Sequence, residues 1–405
     1  MKNKLESHGS ITTKPNLIIL YPYRFRTFDR TRFEISCLKK KFNVVIFELI
    51  EYLHPNFQIA YMTRDESEDI ERIADFKKFA TKMSTFTDID QTFIINFVPV
   101  TNFKELRVNN LLKKTKFIAI NFNNPGVPRV IDTNNLVLKF IFKIKDIINR
   151  FTLNLLKNLF IEFLTRIINR LIISKTKKYI IVAGIEYETG QKYEIPGNSF
   201  DYNTYLNLTN ISSFQSKDKY IVFLDTGYPY FNTDSKLRGS KDMVSVDKSY
   251  PALNLFFDKV EKLFSAEIKI LAHPKHKYSN NDRFRTFKNR EIIHGSSPEL
   301  IAGSSLVFAT NSTAVSFAIL YKKPLCFLKS IEYEKSSSMD RYINSSSKLL
   351  GSPIINIDED TELYSKEFFL NVDKNLYDKY SKKFLTSRGD KKTLCQIISE
   401  DIIRN

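Results

Sequence analysis

Residues 269–276 read KILAHPKH, and this stretch decides the fold expected for the second half of the chain. The apolar run from Ile268 to Ala272 has the length and composition of a buried strand, and it stops at a histidine followed by a proline. Proline disfavours helical backbone at the residue before it, so His273 is predicted to leave the strand extended and to enter a loop. Ligands of open α/β sheets collect beyond the carboxyl ends of the strands. His273 and Pro274 are therefore candidate ligand-binding residues.

A second candidate site follows the strand pattern Leu306–Ala309. There the chain runs through Thr310, Asn311, Ser312 and Thr313 into a segment with helical apolar spacing, so Ser312 or Thr313 is predicted to cap a helix. A helix N-terminus offers free N–H groups and the positive end of a dipole, and both favour phosphate. Each motif alone is usually only a turn or a cap. Together, at successive strand ends of one α/β unit, they favour a nucleotide site.

Positive charge and free amide groups are predicted to gather around one phosphate at these strand ends. His273 and Lys275 supply the charge, and the helix start after Thr310 supplies the N–H groups. Stabilising the negative charge that develops on a leaving phosphate is the largest catalytic contribution available without a metal ion. No Asp-x-Asp metal motif stands beside these strands, so neither a metal ion nor another cofactor is expected.

Carboxylates are the candidates for the catalytic group. Asp225 ends the strand pattern Tyr220–Leu224 and precedes Thr-Gly, so it is a base for an acceptor hydroxyl, a nucleophile, or only a turn-capping residue. Glu186 and Glu188 follow a strand pattern of the first half and are rivals, with a solvated turn as the alternative. Glu299 could bind a ribose hydroxyl, although it also stands where a capping box places its glutamate.

Strand patterns alternate with helical ones in both halves, which predicts parallel sheets joined by right-handed crossovers. The first half opens with strands at Asn16–Leu20 and Asn43–Leu49, but no Gly-x-Gly-x-x-Gly motif follows the first of them. We predict an α/β fold with Rossmann-like domains at 1–208 and 209–362, followed by C-terminal helices at 363–405. The other strand patterns are Thr92–Phe97, Phe117–Asn121, Tyr179–Ala183, Tyr220–Leu224, Glu291–Ile293 and Pro324–Leu328.

The segment 136–175 combines an apolar repeat with positive charge. Apolar residues recur at spacings of three and four, and residues 136–178 contain ten Lys and Arg against two acids, a local charge of 10 − 2 = +8. A basic amphipathic helix can lie in an anionic membrane surface with its apolar stripe at the acyl boundary. The alternative is a surface helix that packs its stripe on the sheet and solvates its lysines. The spacing alone leaves both interpretations open.

Composition limits the class of protein. The 405 residues suffice for two buried cores, and the net charge of +17 attracts nucleic acid, anionic lipid or phosphorylated substrates alike. Cys37, Cys326 and Cys395 lie in apolar patterns and are predicted to form neither a disulfide framework nor a zinc cluster, which favours the cytoplasm. We expect no signal peptide in the polar N-terminal residues, and no run of about eighteen apolar residues is present that could span a membrane.

Several of these strings resemble motifs of known families. Ala272-His273-Pro274, followed by Asn311-Ser312-Thr313-Ala314 at the helix start, resembles the His-Pro and Ser/Thr motifs of bacterial sialyltransferases and polysialyltransferases. In those families both motifs bind the cytidine monophosphate part of the donor. The string FLDTGYPY at 223–230, with NSFDY at 198–202 upstream, is similar to capsule and surface-polysaccharide transferases that move nonulosonic acid or Kdo residues.

The resemblance covers roughly residues 179–330 and implies more than the residues alone. It implies a GT-B architecture, in which two Rossmann-like domains face each other across a cleft; the basic amphipathic segment 136–175 would be a helical insertion in the first. It also implies a CMP-sugar donor and a peripheral membrane location. In sialyltransferases an acidic-acidic-Gly motif supplies the base, whereas Asp225-Thr226-Gly227 lacks the second acid.

The expected activity is transfer of an acidic sugar from a CMP donor to a glycan or glycolipid acceptor in capsule or lipopolysaccharide biosynthesis. The sugar is a nonulosonic acid, such as sialic, pseudaminic or legionaminic acid, or Kdo. The expected location is the inner face of the cytoplasmic membrane, with segment 136–175 against anionic lipid. The donor-binding residues are then His273, Pro274, Lys275, Glu299, Thr310, Asn311, Ser312 and Thr313.

Three alternatives remain at this stage. The same fold could use CDP-glycerol or a UDP-sugar as donor, and a nucleotide-sugar epimerase would also place a histidine beyond a parallel strand. A nucleic-acid binder is motivated only by the charge. Because no reading helix, RNP-type aromatic pair or zinc module is recognisable, no nucleic-acid partner is expected.

Overall fold

Two parallel β-sheets organise the chain in a computed structural model, and each forms the centre of one α/β domain. The residues that the structure describes are 14–55, 65–86, 91–128, 144, 147–148, 150–174, 176–208, 219–231, 235, 239–274, 278–295, 297–359 and 364–403. Within these ranges, no helix is both long enough and apolar enough to span a bilayer.

The first sheet has the strand order β3-β2-β1-β4-β5-β6-β7, and every neighbouring pair is parallel. Its interior strand β1 is buried along its whole length, as expected for a parallel sheet covered by helices on both faces. The strands are β1 Asn16–Tyr21, β2 Asn43–Glu48, β3 Ile70–Arg72, β4 Thr92–Asn96, β5 Ile118–Asn123, β6 Lys177–Val182 and β7 Glu194–Pro196.

The second sheet has the order β10-β9-β8-β11-β12-β13 and is also parallel throughout. Its two central strands, β8 and β11, are completely buried. The strands are β8 Tyr220–Leu224, β9 Glu267–Leu271, β10 Ile292–Ile293, β11 Leu306–Ala309, β12 Leu325–Lys329 and β13 Ile354–Asn356.

Helices cover both sheets and carry most of the connections. A 3₁₀ turn follows β6 at Ile185–Tyr187, and π-helical segments lie at Ser381–Leu385 and Ile397–Ile402. The α-helices are α1 Thr27–Arg32, α2 Ile35–Lys41, α3 Ile50–Leu53, α4 Phe76–Ser84, α5 Phe103–Lys113, α6 Leu153–Leu171, α7 Phe200–Asn207, α8 Val246–Phe264, α9 Asn280–Phe287, α10 Ser297–Gly303, α11 Val315–Leu320, α12 Ile331–Glu334, α13 Ser337–Leu350, α14 Lys366–Leu370, α15 Lys374–Tyr380 and α16 Leu394–Gln396.

The predicted α/β architecture with two Rossmann-like domains is confirmed. The strands predicted at Tyr220–Leu224 and Leu306–Ala309 have those bounds, because uninterrupted apolar runs mark strands buried on both faces. The predictions omitted β3, β7 and β13, which are three-residue strands at sheet edges. Such short segments have no readable periodicity, and only their pairing with a neighbouring strand makes them strands.

The C-terminal segment belongs to both domains. Phe369, Tyr377 and Tyr380 are buried in the core of the second domain. The chain then returns to the first domain, where Leu394 and Ile398 are buried beside the central strands. The helices predicted at 363–405 are therefore shared between the two cores.

A disulfide bond fastens this returning segment, and it corrects an expectation from the sequence. Cys37 of α2 and Cys395 of α16 are bonded, with their Cα atoms 6.1 Å apart. The two cysteines are separated by 358 positions, so nothing local in the sequence reveals that both reach the same core. Cys326 is a buried free thiol in β12.

The Cys395→Ser substitution is expected to lower the free energy of unfolding by about 2–4 kcal/mol, because the disulfide restricts the unfolded chain. Urea denaturation under non-reducing conditions measures the change. Wild-type protein in reductant is the control, and it should fall to the stability of the variant. Equal stability of oxidised and reduced wild-type protein would show that this bond does not contribute.

Candidate functional site

The carboxyl ends of four neighbouring strands in the second sheet form one row. Leu224 pairs with Leu271 of β9 and with Ala309 of β11, and Leu271 pairs with Ile293 of β10. Neighbouring strands lie about 4.8 Å apart, so the residues that follow these partners line one short edge. In spatial order the residues after the strands are His294, Ala272 with His273, Asp225 and Thr310.

Asp225 lies at the centre of this row and is buried, with 4 % of its surface exposed. Its Oδ1 accepts a hydrogen bond of 2.9 Å from the Gly227 N–H, and its Oδ2 accepts one of 2.7 Å from the Tyr278 hydroxyl. Burial raises the pKa of the Asp225 carboxyl to about 6, although these two hydrogen bonds act in the opposite direction. Such a carboxyl can accept or release a proton near neutral pH.

Tyrosine side chains surround the Asp225 carboxyl group. Tyr278 touches it directly, and the charge of Asp225 adds to burial in raising the pKa of Tyr250 and Tyr333. The ring of Tyr230 stacks on Tyr278, with ring centroids 6.1 Å apart. These rings exclude water from the carboxyl group and keep hydroxyl donors beside it. The arrangement suits either a proton-transfer group or a turn-capping carboxylate, so the catalytic role of Asp225 stays a prediction.

Histidines stand at two adjacent strand ends. His273 and Pro274 are half-buried and follow β9, as the His-Pro motif predicted, whereas Lys275 lies outside the described residues. His294 is exposed after β10, and its ring centroid is 6.4 Å from that of Tyr278. Sequence reasoning missed His294, although the signal was the same as for His273: an imidazole directly after an apolar strand.

The turn after β11 presents polar groups at the same edge. Thr310 is buried, Ser312 is half-buried, and Asn311 and Thr313 are exposed. The Ser312 Oγ accepts a 3.3 Å hydrogen bond from the N–H of Ala314, so the hydroxyl shapes the turn. Helix α11 begins only at Val315, and its N-cap residue is Ala314. The prediction that Ser312 or Thr313 caps this helix is therefore wrong, because a turn lies between them and the helix.

The first domain contacts helix α11 through the half-buried Asp201. The Ser316 hydroxyl of α11 donates a 2.5 Å hydrogen bond to Oδ2 of Asp201, in the first turn of α7. Burial raises the pKa of Asp201, while the neighbouring charge of Arg32 and the bond from Ser316 lower it. The guanidinium of Arg32 lies over the ring of Phe200 at 4.8 Å. The Asp201–Ser316 contact was not predicted, because it joins residues 115 positions apart.

Glu299 occupies the first turn of α10, between β10 and β11. Its Oε2 is buried and has no hydrogen-bond partner among the residues described, and the same holds for the Tyr321 hydroxyl. Burial and then the charge of Glu299 raise the pKa of Tyr321, whose ring packs against Tyr205 of the first domain at 5.4 Å. Buried polar atoms in folded proteins are almost always satisfied, so this pair is suited to hold a hydroxyl-bearing ligand.

Glu186 and Glu188 follow β6 of the first sheet, not a strand of the second. Both are exposed: Glu186 is in the 3₁₀ turn that follows β6, and Glu188 comes directly after this turn. Glu186 forms a 3.4 Å ion pair with Lys383 of the returning C-terminal segment. Their place matches the predicted solvated turn, and their catalytic role stays a prediction.

Metal-binding side chains do not cluster in the part of the chain that the structure describes. No group of three or more His, Cys, Asp or Glu residues there is arranged to hold a metal ion.

Comparison with known proteins gives matches in structure only. No protein-family model matches the sequence, and no curated protein matches it. The chain is similar to the wall teichoic acid polymerase TagF, with 14 % identity, a TM-score of 0.51, and coverage of 97 % of this chain and 89 % of that one. A substituted TagF soaked with CDPG matches with 12 % identity, the same TM-score and the same coverage.

Weaker matches cover similar lengths. The glycosyltransferase SnogD from Streptomyces nogalater has 8 % identity, a TM-score of 0.48, and coverage of 96 % of this chain and 99 % of that one. A UDP-N-acetylglucosamine 2-epimerase has 12 % identity, a TM-score of 0.48 and coverage of 96 % of both chains. The likeness to TagF, together with the two parallel sheets, shows the fold expected from the resemblance: GT-B, with two Rossmann-like domains.

Proposed function

We propose that this GT-B chain is a glycosyltransferase that transfers an acidic sugar from a CMP-activated donor to a glycan or glycolipid acceptor. The observation that carries the proposal is the row of strand ends, in which Asp225 lies between His273 on β9 and Thr310 on β11. Ligands of open α/β sheets bind at such an edge. The acceptor is a surface glycan of the capsule or lipopolysaccharide type, made at the inner face of the cytoplasmic membrane.

The donor phosphate binds at the His273 side of the row. Its oxygens accept hydrogen bonds from the His273 imidazole and from the exposed side chains of Asn311 and Thr313, with Lys275 adding positive charge. The ribose hydroxyls form hydrogen bonds with Glu299 and Tyr321. Among the described residues, the Glu299 Oε2 and the Tyr321 hydroxyl are buried without a hydrogen-bond partner. These contacts share the charge that develops on the phosphate as its bond to the sugar breaks.

The reaction needs one proton acceptor. An acceptor hydroxyl attacks the anomeric carbon, its proton passes to a carboxylate, and CMP leaves with the electron pair of the broken C–O bond. Asp225 is the proposed base because its raised pKa keeps it able to take a proton near pH 7. Glu186 and Glu188 remain rival bases.

A second donor class has support of its own. TagF, which has the same fold, has been solved after soaking with CDPG, and it is a wall teichoic acid polymerase. A CDP-activated alcohol such as CDP-glycerol would use the same cytidine-binding edge and bring one more phosphate. UDP-sugar transfer and epimerisation are the remaining alternatives.

A thermal-shift panel of CMP, CDP, UDP and GDP tests the donor. At about one hundred times its dissociation constant, the correct nucleotide adds roughly 2.7 kcal/mol and should raise the melting temperature of a chain of this size by about 3 °C or more. Inorganic phosphate is the control and should have little effect.

Each response of the panel has one meaning. The largest shift with CMP supports the acidic-sugar donor, and the largest with CDP supports a CDP-activated alcohol. A response to UDP alone would favour a UDP-sugar enzyme. No shift with any nucleotide, combined with strongly salt-dependent DNA binding, would overturn the enzyme proposal.

A further inference from the structure

Helix α6 of the first domain, between β5 and β6, is docked with its apolar face outward. Only Leu155 and Thr165 of its nineteen residues are buried. The part of segment 136–175 that precedes it lies largely outside the described residues. Six of the seven large exposed apolar side chains of the helix recur at spacings of three and four, which places these six in one stripe along a single face. This stripe consists of Leu153, Leu156, Phe160, Phe163, Ile167 and Leu171.

This orientation is unusual for a surface helix. A helix on a globular domain normally turns its apolar stripe to the core and its polar face to water. Here the polar Thr165 is buried, while Phe160 and Phe163 are each 61 % exposed. Contiguous apolar surface of this kind marks an interaction site. Leu155 is buried and Leu159 is half-buried, so α6 packs on the domain through this side while the exposed apolar side chains face outward.

Basic side chains border the stripe. Lys157 and Arg170 are exposed, and at 3.6 residues per turn they fall on opposite sides of it. Beyond the helix, Lys177 and Lys178 are exposed at the start of β6. The one acid of the helix, Glu162, is ion-paired with Arg166. An apolar face with lysine and arginine at its borders is the pattern of helices that lie in an anionic membrane surface.

Contacts at its two ends tie α6 to both domains. Arg150, just before the helix, donates 3.1 Å hydrogen bonds to the hydroxyls of Ser336 and Ser338 in the second domain. At the other end, Lys113 of α5 donates a 3.1 Å hydrogen bond to the carbonyl of Ile172 in the first domain. A surface that holds α6 therefore holds both domains beside the cleft.

We propose that the partner of the α6 stripe is a lipid bilayer with anionic headgroups. The helix lies flat, with its stripe at the acyl boundary and its basic border on the headgroups. A second copy of this chain is a poorer fit, because a two-fold contact between two stripes would bring like charges together. The proposal rests on α6 alone and does not depend on the donor.

Vesicle flotation tests the proposal with the full chain. Wild-type protein should float with phosphatidylcholine vesicles that contain phosphatidylglycerol, and much less with phosphatidylcholine alone. The double substitution Phe160→Glu/Phe163→Glu should lower binding roughly tenfold or more, because it removes two apolar contacts and adds two repelled charges. The matched control is Leu255→Glu/Ile331→Glu, at positions 59 % and 67 % exposed on the second domain, and it should bind as wild type does.

The other outcomes overturn the proposal. Equal binding of wild-type protein to both kinds of vesicle would show that anionic headgroups are not recognised. Equal binding of the two double variants would show that α6 does not contact the membrane. If wild-type protein is a dimer that Phe160→Glu/Phe163→Glu dissociates, without lipid binding, the stripe is a contact between copies. Because nucleotide shifts are measured separately, failure here leaves the donor proposal standing.

Discussion

The Asp225→Asn variant is expected to be more stable than wild-type protein at pH 7, by up to about 3 kcal/mol, and to lose sugar transfer by at least about a hundredfold. Burial raises the pKa of Asp225 from 3.8 to about 6, a difference worth roughly 3 kcal/mol. The native state therefore binds the proton more tightly than the unfolded state. The contribution of the Asp225 carboxyl to the free energy of unfolding is therefore largest below pH 3.8, and it is lost as the pH rises through about 6.

Asparagine removes this pH dependence while it keeps the local hydrogen bonds. Its amide oxygen can accept from the Gly227 N–H, and its NH₂ group can donate to the Tyr278 hydroxyl. Urea denaturation between pH 4 and pH 8 should show a decline for wild-type protein that the variant lacks. Transfer to an acceptor is measured on the same preparations.

Asp258 supplies a control of opposite sign. Burial raises its pKa, but hydrogen bonds from Lys288 and Arg290 outweigh this, and the net pKa is lowered. The ionised Asp258 carboxylate stabilises the folded state at pH values above its ordinary pKa. Asp258→Asn should therefore destabilise the protein at pH 7. If Asp225→Asn gains stability but transfers sugar at the wild-type rate, Asp225 is a buried turn residue and another carboxylate is the base. A loss of stability would show that its burial is not costly.

The His273→Ala variant is expected to bind the donor nucleotide about 10- to 100-fold more weakly. A hydrogen bond from an imidazole to a charged phosphate is worth about 1.5–3 kcal/mol, and its loss leaves the phosphate oxygen without that partner. Turnover should fall by a larger factor, because the same contact stabilises the charge on the departing phosphate. Isothermal calorimetry with CMP or CDP measures the affinity.

His294→Ala is the comparison that makes this test decisive. His294 is exposed and lies one strand away from His273. Its substitution by alanine should therefore lower the affinity for the nucleotide much less than His273→Ala does. The reverse order would place the phosphate at β10 instead of β9. Unchanged nucleotide binding in both variants would show that the donor does not bind at this row of strand ends.

The sequence predicted the elements whose signal is local. Tyr220–Leu224 and Leu306–Ala309 are strands in the structure because continuous apolar runs of this length are stable only when a sheet buries both faces. The His-Pro pair predicted where β9 ends, for the steric reason that proline disfavours helix before it. Once β8 pairs in parallel with β9 and β11, these strand ends bring Asp225, His273 and Thr310 to one edge.

Long-range contacts were beyond such reasoning. The Cys37–Cys395 bond and the Asp201–Ser316 contact join residues that only the returning chain and the meeting of two domains bring together. For each of these, the partner lies outside any local pattern.

Helix α6 separates the two kinds of information most clearly. Spacing of three and four determined that Phe160 and Phe163 share a face, because 3.6 residues complete each turn. The same spacing is compatible with a stripe that faces the core and with one that faces water. Only the tertiary structure decided the outcome: Leu155 and Thr165 are on the buried side, and contacts from α5 and from the second domain hold the two ends of the helix. Periodicity is a property of one helix, whereas orientation is a property of its neighbours.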